Sequence, residues 1–156
     1  MKQLDLAIES DLANVTLLAV AVNRVCLELG LDASQAGEIE LCTAEAVTNA
    51  IRHAYHGKAG HIVAVRLSAH RHDLHIEVSD SGSPMPLEHQ QTLFHGPKAS
   101  DTELPDPQTL PEGGRGLHII YELMDSVSYV SEEMRNRLIM GKRIVAAHVD
   151  THHSLS

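Results

Sequence analysis

The chain has 156 residues, the size of one domain and too short for two. Hydrophobic residues make up 43% and aromatics only 3%, with Phe94 the single phenylalanine and no tryptophan, so a sizeable core is available but must be aliphatic. Twelve Lys/Arg against 21 Asp/Glu leave a formal net charge of -9, which argues against a nucleic-acid surface, where phosphates select for Lys and Arg.

The opening MKQLDLAIESD lacks an apolar signal-peptide core, and no apolar run approaches the roughly 20 residues of a membrane span. Lys2 to Ile8 alternates as a short strand. Ser10 or Asp11 is placed to cap a helix through about Leu29, with Leu12, Val15, Leu18, Val22, Cys26 and Leu29 on its apolar face and Gly30 closing it. Ser34 reads as the cap of a second helix, which carries Ile39, Cys42, Ala46, Val47, Ala50 and Ile51 at helical spacing and stops at His56-Gly57. Cys26 and Cys42 thus sit in apolar helix patterns without metal spacing, and a cytoplasmic chain with reduced thiols is expected.

His61–Ala69 and Asp73–Ser79 read as two strands joined near His70–His72. All six prolines then fall between Ser83 and Glu112, which excludes one regular helix or a central strand there and suggests a lid at about 83–114. A third helix is predicted from about Arg115 to Asp125, followed by strands Ser126–Ser131 and Arg137–His148 turning near Asn136, and a frayed tail at 149–156. The order predicts one α+β domain over residues 1–148, a two-layer sandwich with helices on one face of a mixed, mainly antiparallel sheet.

Three stretches could carry chemistry. Glu45, Asn49 and His53 follow at i, i+4 and i+8, a polar ridge among Ala44, Ala46, Val47 and Ala50; taken alone it also fits an ordinary polar stripe. The strand ending at Ser79 runs into Asp80-Ser81-Gly82-Ser83-Pro84, where an Asp with Gly at +2 can set a carboxylate beside a flat ligand edge, or simply make an Asx turn. Glu112-Gly113-Gly114-Arg115-Gly116-Leu117 places glycines before a helix, which suits an anion site or a hinge. No Walker A loop is present, since Gly141-Lys142-Arg143 lacks the upstream Gly and the following Ser/Thr. His70, His72 and His75, and the His152-His153 pair, have no cysteine or closed tetrahedral set with them, so zinc is not expected.

In this order, with a proline-rich lid between the second and third, the stretches EAVTNAIRHAY, DSGSPMP and EGGRGLHII resemble the motifs of the GHKL superfamily, the Bergerat-type ATP-binding fold. Within it the chain is similar to the anti-sigma-factor serine kinases, and the closing NRLIMGKRI also looks like their last strands. The resemblance implies ATP/ADP and Mg²⁺ as cofactors. Asn49 would give its side-chain oxygen to Mg²⁺, Glu45 would be the catalytic base, and His53 would support this ridge. Asp80 would accept from the adenine amine, with Gly82 leaving room for the ring. Gly113, Gly114, Arg115, Gly116 and Leu117 would form the phosphate loop, with Arg115, Arg52 and Lys98 as candidate cations. It also implies phosphorylation of an anti-anti-sigma (STAS-type) protein, binding of a sigma factor, and a homodimer through the first helix and sheet edge, with no direct nucleic-acid or membrane contact. A nucleotide-responsive binding module without kinase activity is the alternative.

Overall fold

A computed structural model describes residues 1–95 and 114–144. Its elements run β1 (Lys2–Glu9), α1 (Val15–Glu28), α2 (Ala33–Asn49), β2 (Ile62–Ala69), β3 (Asp73–Asp80), α3 (Leu87–His95), α4 (Gly114–Leu123), β4 (Ser126–Glu132) and β5 (Arg135–Arg143). In β2, Val63, Val65 and Leu67 are buried while Ile62 and Arg66 are exposed, the period-two signature of a sheet covered on one face. The five strands pair in the order β1-β2-β3-β5-β4, antiparallel throughout. Register carries one apolar row, Leu6, Val65, Val78, Leu138 and Tyr129, across the whole sheet, and a second, Leu4, Leu67, Ile76, Met140 and Val127, beside it.

The helices lie on these rows. Val22 and Cys26 of α1, and Ile39, Cys42 and Val47 of α2, are fully buried against Val63, Leu74, Ile76 and Met140 of the sheet within one aliphatic cluster. Each such side chain contributes about 1.5–3 kcal/mol on burial. Burial also pushes the thiols up, to about 11 for Cys26 and about 12 for Cys42, so both stay protonated and behave as small hydrophobes. Lys142 of β5 ties the layers together: its ammonium pairs with Glu38 of α2 at 2.8 Å and donates to Leu123 O at 2.7 Å, where a cation complements the C-terminal end of α4.

The α+β class and the hairpin of β2 and β3 match the sequence reading; several local expectations need correction. Ser10 is not a cap: buried, it donates to Lys58 O and accepts from His61 N, while Asp11 caps a three-residue 3-10 turn leading into α1. Asp32, not Ser34, caps α2, its carboxylate accepting from Gln35 N at 2.7 Å. The span between Ser83 and Glu112 does contain a helix, α3, because Pro86 stands just ahead of it and no proline interrupts Leu87–His95; Pro86 O accepts from His89 N and Gln90 N. The closing turn is not at Asn136. It lies at Glu133 and Met134, both at positive φ (49° and 61°), and Asn136 belongs to β5. The remainder of the expected lid, the end of the last strand beyond Ile144, and the 149–156 tail lie outside the described residues.

Asp32→Ala is expected to lower unfolding stability by about 1 kcal/mol, the usual worth of an N-cap, while Ser34→Ala stays within about 0.5 kcal/mol of the parent. Urea denaturation of both variants measures the difference.

Candidate functional site

The helix that begins at Ala33 does not end regularly. After Asn49 it widens into a π turn over Ala50–Ala54, where Tyr55 N bonds Ala50 O five residues back. Such insertions often mark functional positions. Here it turns Ala50, His53 and Ala54 toward a cavity whose floor is the apolar sheet row at Val78, Leu138 and Tyr129. Counted with its open mouth, the space at this cavity is about 470 Å³.

Four of the predicted residues line this cavity: Asn49, His53, Asp80 and Leu117. Two more meet one residue from its wall. Gly116 of α4 packs directly on the Glu45 carboxylate; a Cβ there would strike Glu45 Oε2 and come within 3.3 Å of its Cδ, so a larger residue would push the Glu45 side chain from this position. Gly82 is likewise fixed by contact. A Cβ would collide with the Ala54 backbone carbonyl, and the neighbouring Ser83 N donates to that same oxygen at 2.9 Å, satisfying a carbonyl the helix end leaves unpaired. Gly114 is buried at the start of α4, whereas Arg115 and Arg52 are exposed and are not among the lining residues. Gly113 and Lys98 lie outside the described residues, as do His152 and His153.

Of the cavity-lining residues, Asn49 carries a polar group that the fold leaves unused. Its amide nitrogen is buried without a hydrogen-bond partner, although the side chain lines the cavity. An orphaned buried amide costs about 1–3 kcal/mol, and a primary amide offers a ligand one donating and one accepting end. Among the described residues no group of three His, Cys, Asp or Glu is placed to hold a metal ion; His70 and His75 meet edge-on at 6.0 Å, as a pair. A hard cation at the cavity would take one oxygen from Asn49 and most of the others from a bound ligand, as magnesium does with phosphates, while the unpartnered Asn49 Nδ2 could donate only to an oxygen of that ligand. The residues present fit such a group.

Asp80 closes β3 at the cavity. Gly82 N donates to its Oδ1 at 2.9 Å and Asn136 Nδ2 donates to the same oxygen at 2.7 Å, so Oδ2 is the oxygen left to accept from a ligand. Burial raises the carboxyl above its ordinary value, and the Asn136 and Gly82 bonds pull it back down. Two tyrosines fasten the following loop: Tyr55 OH accepts from Ser81 N at 2.8 Å and Tyr129 OH accepts from Met85 N at 2.7 Å. His89 of α3 meets His53 edge-on at 5.7 Å on the cavity wall. The sequence reading missed Asn136, Tyr55, Tyr129 and His89. The tyrosines carried a signal, since the chain has only three and little other aromatic content; Asn136 was hidden by its fitness for a turn.

The raised Asp80 carboxyl has a definite sign. An Asp whose folded pKa lies above its unfolded value loses stability for the fold as pH rises from the unfolded value through the folded one. Asp80→Asn removes that loss while its side-chain oxygen still accepts from Gly82 and Asn136. The melting temperature of the variant relative to the parent is therefore expected to rise as pH is taken from about 3.5 to 7, measured without ligand.

Residues 8–142 match the family model described as the histidine kinase-like ATPase domain. The chain is 31% identical over 115 residues to serine-protein kinase RsbW of Bacillus pumilus, covering 72% of this chain and 68% of that one. It is 26% identical over 128 residues to the protein of that name from Bacillus velezensis, with 82% and 78% covered, and 24% over 119 residues to that of Listeria innocua, with 76% and 73% covered. With the match spanning well over half its length and the Glu45–Asn49 ridge, Asp80 and the start of α4 gathered around one cavity, the chain belongs to the histidine kinase-like ATPase domain family.

Proposed function

We infer that this protein is an ATP-dependent serine-protein kinase that also acts as an anti-sigma factor in a partner-switching system, phosphorylating an anti-anti-sigma (STAS-type) protein and sequestering a sigma factor. The observation that carries this reading is the meeting of an unpartnered Asn49 amide, a half-buried Asp80 carboxylate and Leu117 near the N-terminal end of α4 at one cavity, in a chain similar to serine-protein kinases. Residues 1–148 form the kinase domain, with a nucleotide lid at about 83–114 and a C-terminal tail at 149–156.

Bound magnesium-ATP supplies the phosphoryl group and the cation that neutralises charge on its oxygens. Asn49 holds the cation through its side-chain oxygen. Asp80 accepts the hydrogen bond of the adenine amine, and the Gly82 loop gives the ring its wall. His53 supports the ridge from the π turn. The amides at Gly113, Gly114, Arg115, Gly116 and Leu117, at the positive end of α4, receive the phosphate oxygens. Glu45, whose carboxylate lies against Gly116, takes the proton from the attacking serine hydroxyl.

The partners follow the same reading. The outward side of α1 exposes Leu17 and Val20, 71% and 55% accessible, and Leu27, with Leu12 exposed in the turn before it and the Arg24–Glu28 pair among them, a partly apolar face suited to a second copy of the chain. The excess of acidic side chains suits basic segments of a sigma factor rather than nucleic acid. No described helix is long and apolar enough to cross a membrane; we place the protein in the cytoplasm, where its two buried thiols stay reduced.

Two outcomes test these assignments. Glu45→Gln, which keeps the volume against Gly116, should bind ADP like the parent in calorimetry yet transfer phosphate to serine about 10²–10⁴-fold more slowly; equal transfer rates would remove Glu45 as the base. Replacing Leu17 and Val20 by Arg should halve the sedimenting mass of the free protein while ADP binding persists; an unchanged mass would place any self-association elsewhere.

A further inference from the structure

Asn136 lies on β5 opposite Asp80 in the strand register and is only 3% exposed. Its amide nitrogen donates to Asp80 Oδ1 at 2.7 Å and to Gly82 O at 3.0 Å, with Ser83 O at 3.4 Å sharing the second hydrogen. Its amide oxygen accepts from Ser131 Oγ at 2.7 Å, across the β4–β5 pair. Three acceptors surround one end and a hydroxyl the other, so the orientation of the amide is fixed by its partners. One neutral side chain thus holds both the carboxylate and the backbone of the loop behind it.

We propose that Asn136 is the positioning residue of the base subsite, aiming Asp80 so that the protein selects a nucleotide whose purine carries an exocyclic amine at the position facing Oδ2. The proposal rests on the nucleotide reading of the cavity and deepens it. The two donors on Oδ1, Asn136 Nδ2 and Gly82 N, fix the plane of the carboxylate and turn Oδ2 outward as the free acceptor. An exocyclic amine donates to that oxygen. A purine with a carbonyl in its place presents a second acceptor to a carboxylate, and the two repel. Without Asn136 the carboxylate rotates about its Cβ–Cγ bond and the discrimination goes, although the cavity walls remain.

The discriminating experiment compares ADP with inosine diphosphate, in which a carbonyl replaces that amine and the adjacent ring nitrogen N1 carries a hydrogen, on the intact chain by calorimetric titration. Asn136→Ala is expected to weaken ADP binding by about 10-fold or more, the usual effect of losing a hydrogen bond to a charged group, and to leave inosine diphosphate affinity within about 2-fold, as expected where no bond is lost. On an Asp80→Asn background the same substitution should change ADP affinity little, because the group it positions has gone. Ser131→Ala, which frees the far end of the amide without touching the loop, should reduce the ADP preference in the same direction; should Asn136→Ala fail to fold, the Ser131 variant decides. A parallel loss for both nucleotides, or an unchanged ADP preference in the folded variant, overturns the role of Asn136 alone. Failure of the parent protein to bind ADP removes the nucleotide reading itself, and this proposal with it.

Discussion

The site depends on a carboxylate kept partly out of water. Asp80 sits at the end of a central strand, where removing its charge from solvent works against ionisation, and it is tolerable there because two donors converge on one of its oxygens. Hydrogen bonds to a charged group contribute about 1.5–3 kcal/mol each; here they offset part of the desolvation, and the carboxyl stays above its ordinary value. The same bonds arrest the loop that follows. Gly82 and Ser83 are held from one side by Asn136 and from the other by the Ala54 carbonyl, and Tyr55 and Tyr129 fasten the residues on either side. This edge of the cavity is therefore built by four separate elements.

Two glycine contacts set how closely those elements approach. Gly82 lets the loop rest on the end of the α2 π turn, and Gly116 lets α4 rest on Glu45. In both places the missing Cβ is replaced by a neighbour belonging to another motif. A glycine motif of this kind first brings the three stretches within reach of each other, and its free amides act in addition. Beneath them the apolar row from Leu6 to Tyr129 supplies a flat floor that ends in the cavity itself. The Asn49 amide nitrogen, one of the groups that the fold leaves unsatisfied, lies at this place. Local compromise at a site, with consistent patterning elsewhere, is how functional positions differ from the rest of a domain.

Much of this was legible before any coordinates. Alternation in β2 and β3 and the apolar spacing of α1 and α2 mark those elements because burial of one face is a local periodic constraint. Short-range competition was less readable. Asp32 and Ser34 are both good capping residues, and the choice fell to the one whose carboxylate reaches Gln35 N. Asn136 suits a turn by composition, but the chain turns at Glu133 and Met134, two residues without turn preference held at positive φ by the pairing of β4 with β5. The helix at Leu87–His95 was masked by prolines that flank rather than interrupt it.

By itself the sequence determined the class of fold and the aliphatic core, since each follows from side-chain chemistry at fixed local spacing, and its three short motifs carried the resemblance to a nucleotide-binding family. Only the tertiary structure decided that Glu45 lies against Gly116, that Ala54 receives the loop after Asp80, and that a buried amide on the last strand donates to the Asp80 carboxylate. Those relations join residues more than 25 positions apart, and their distances are set by how sheet and helices pack, which no local pattern encodes.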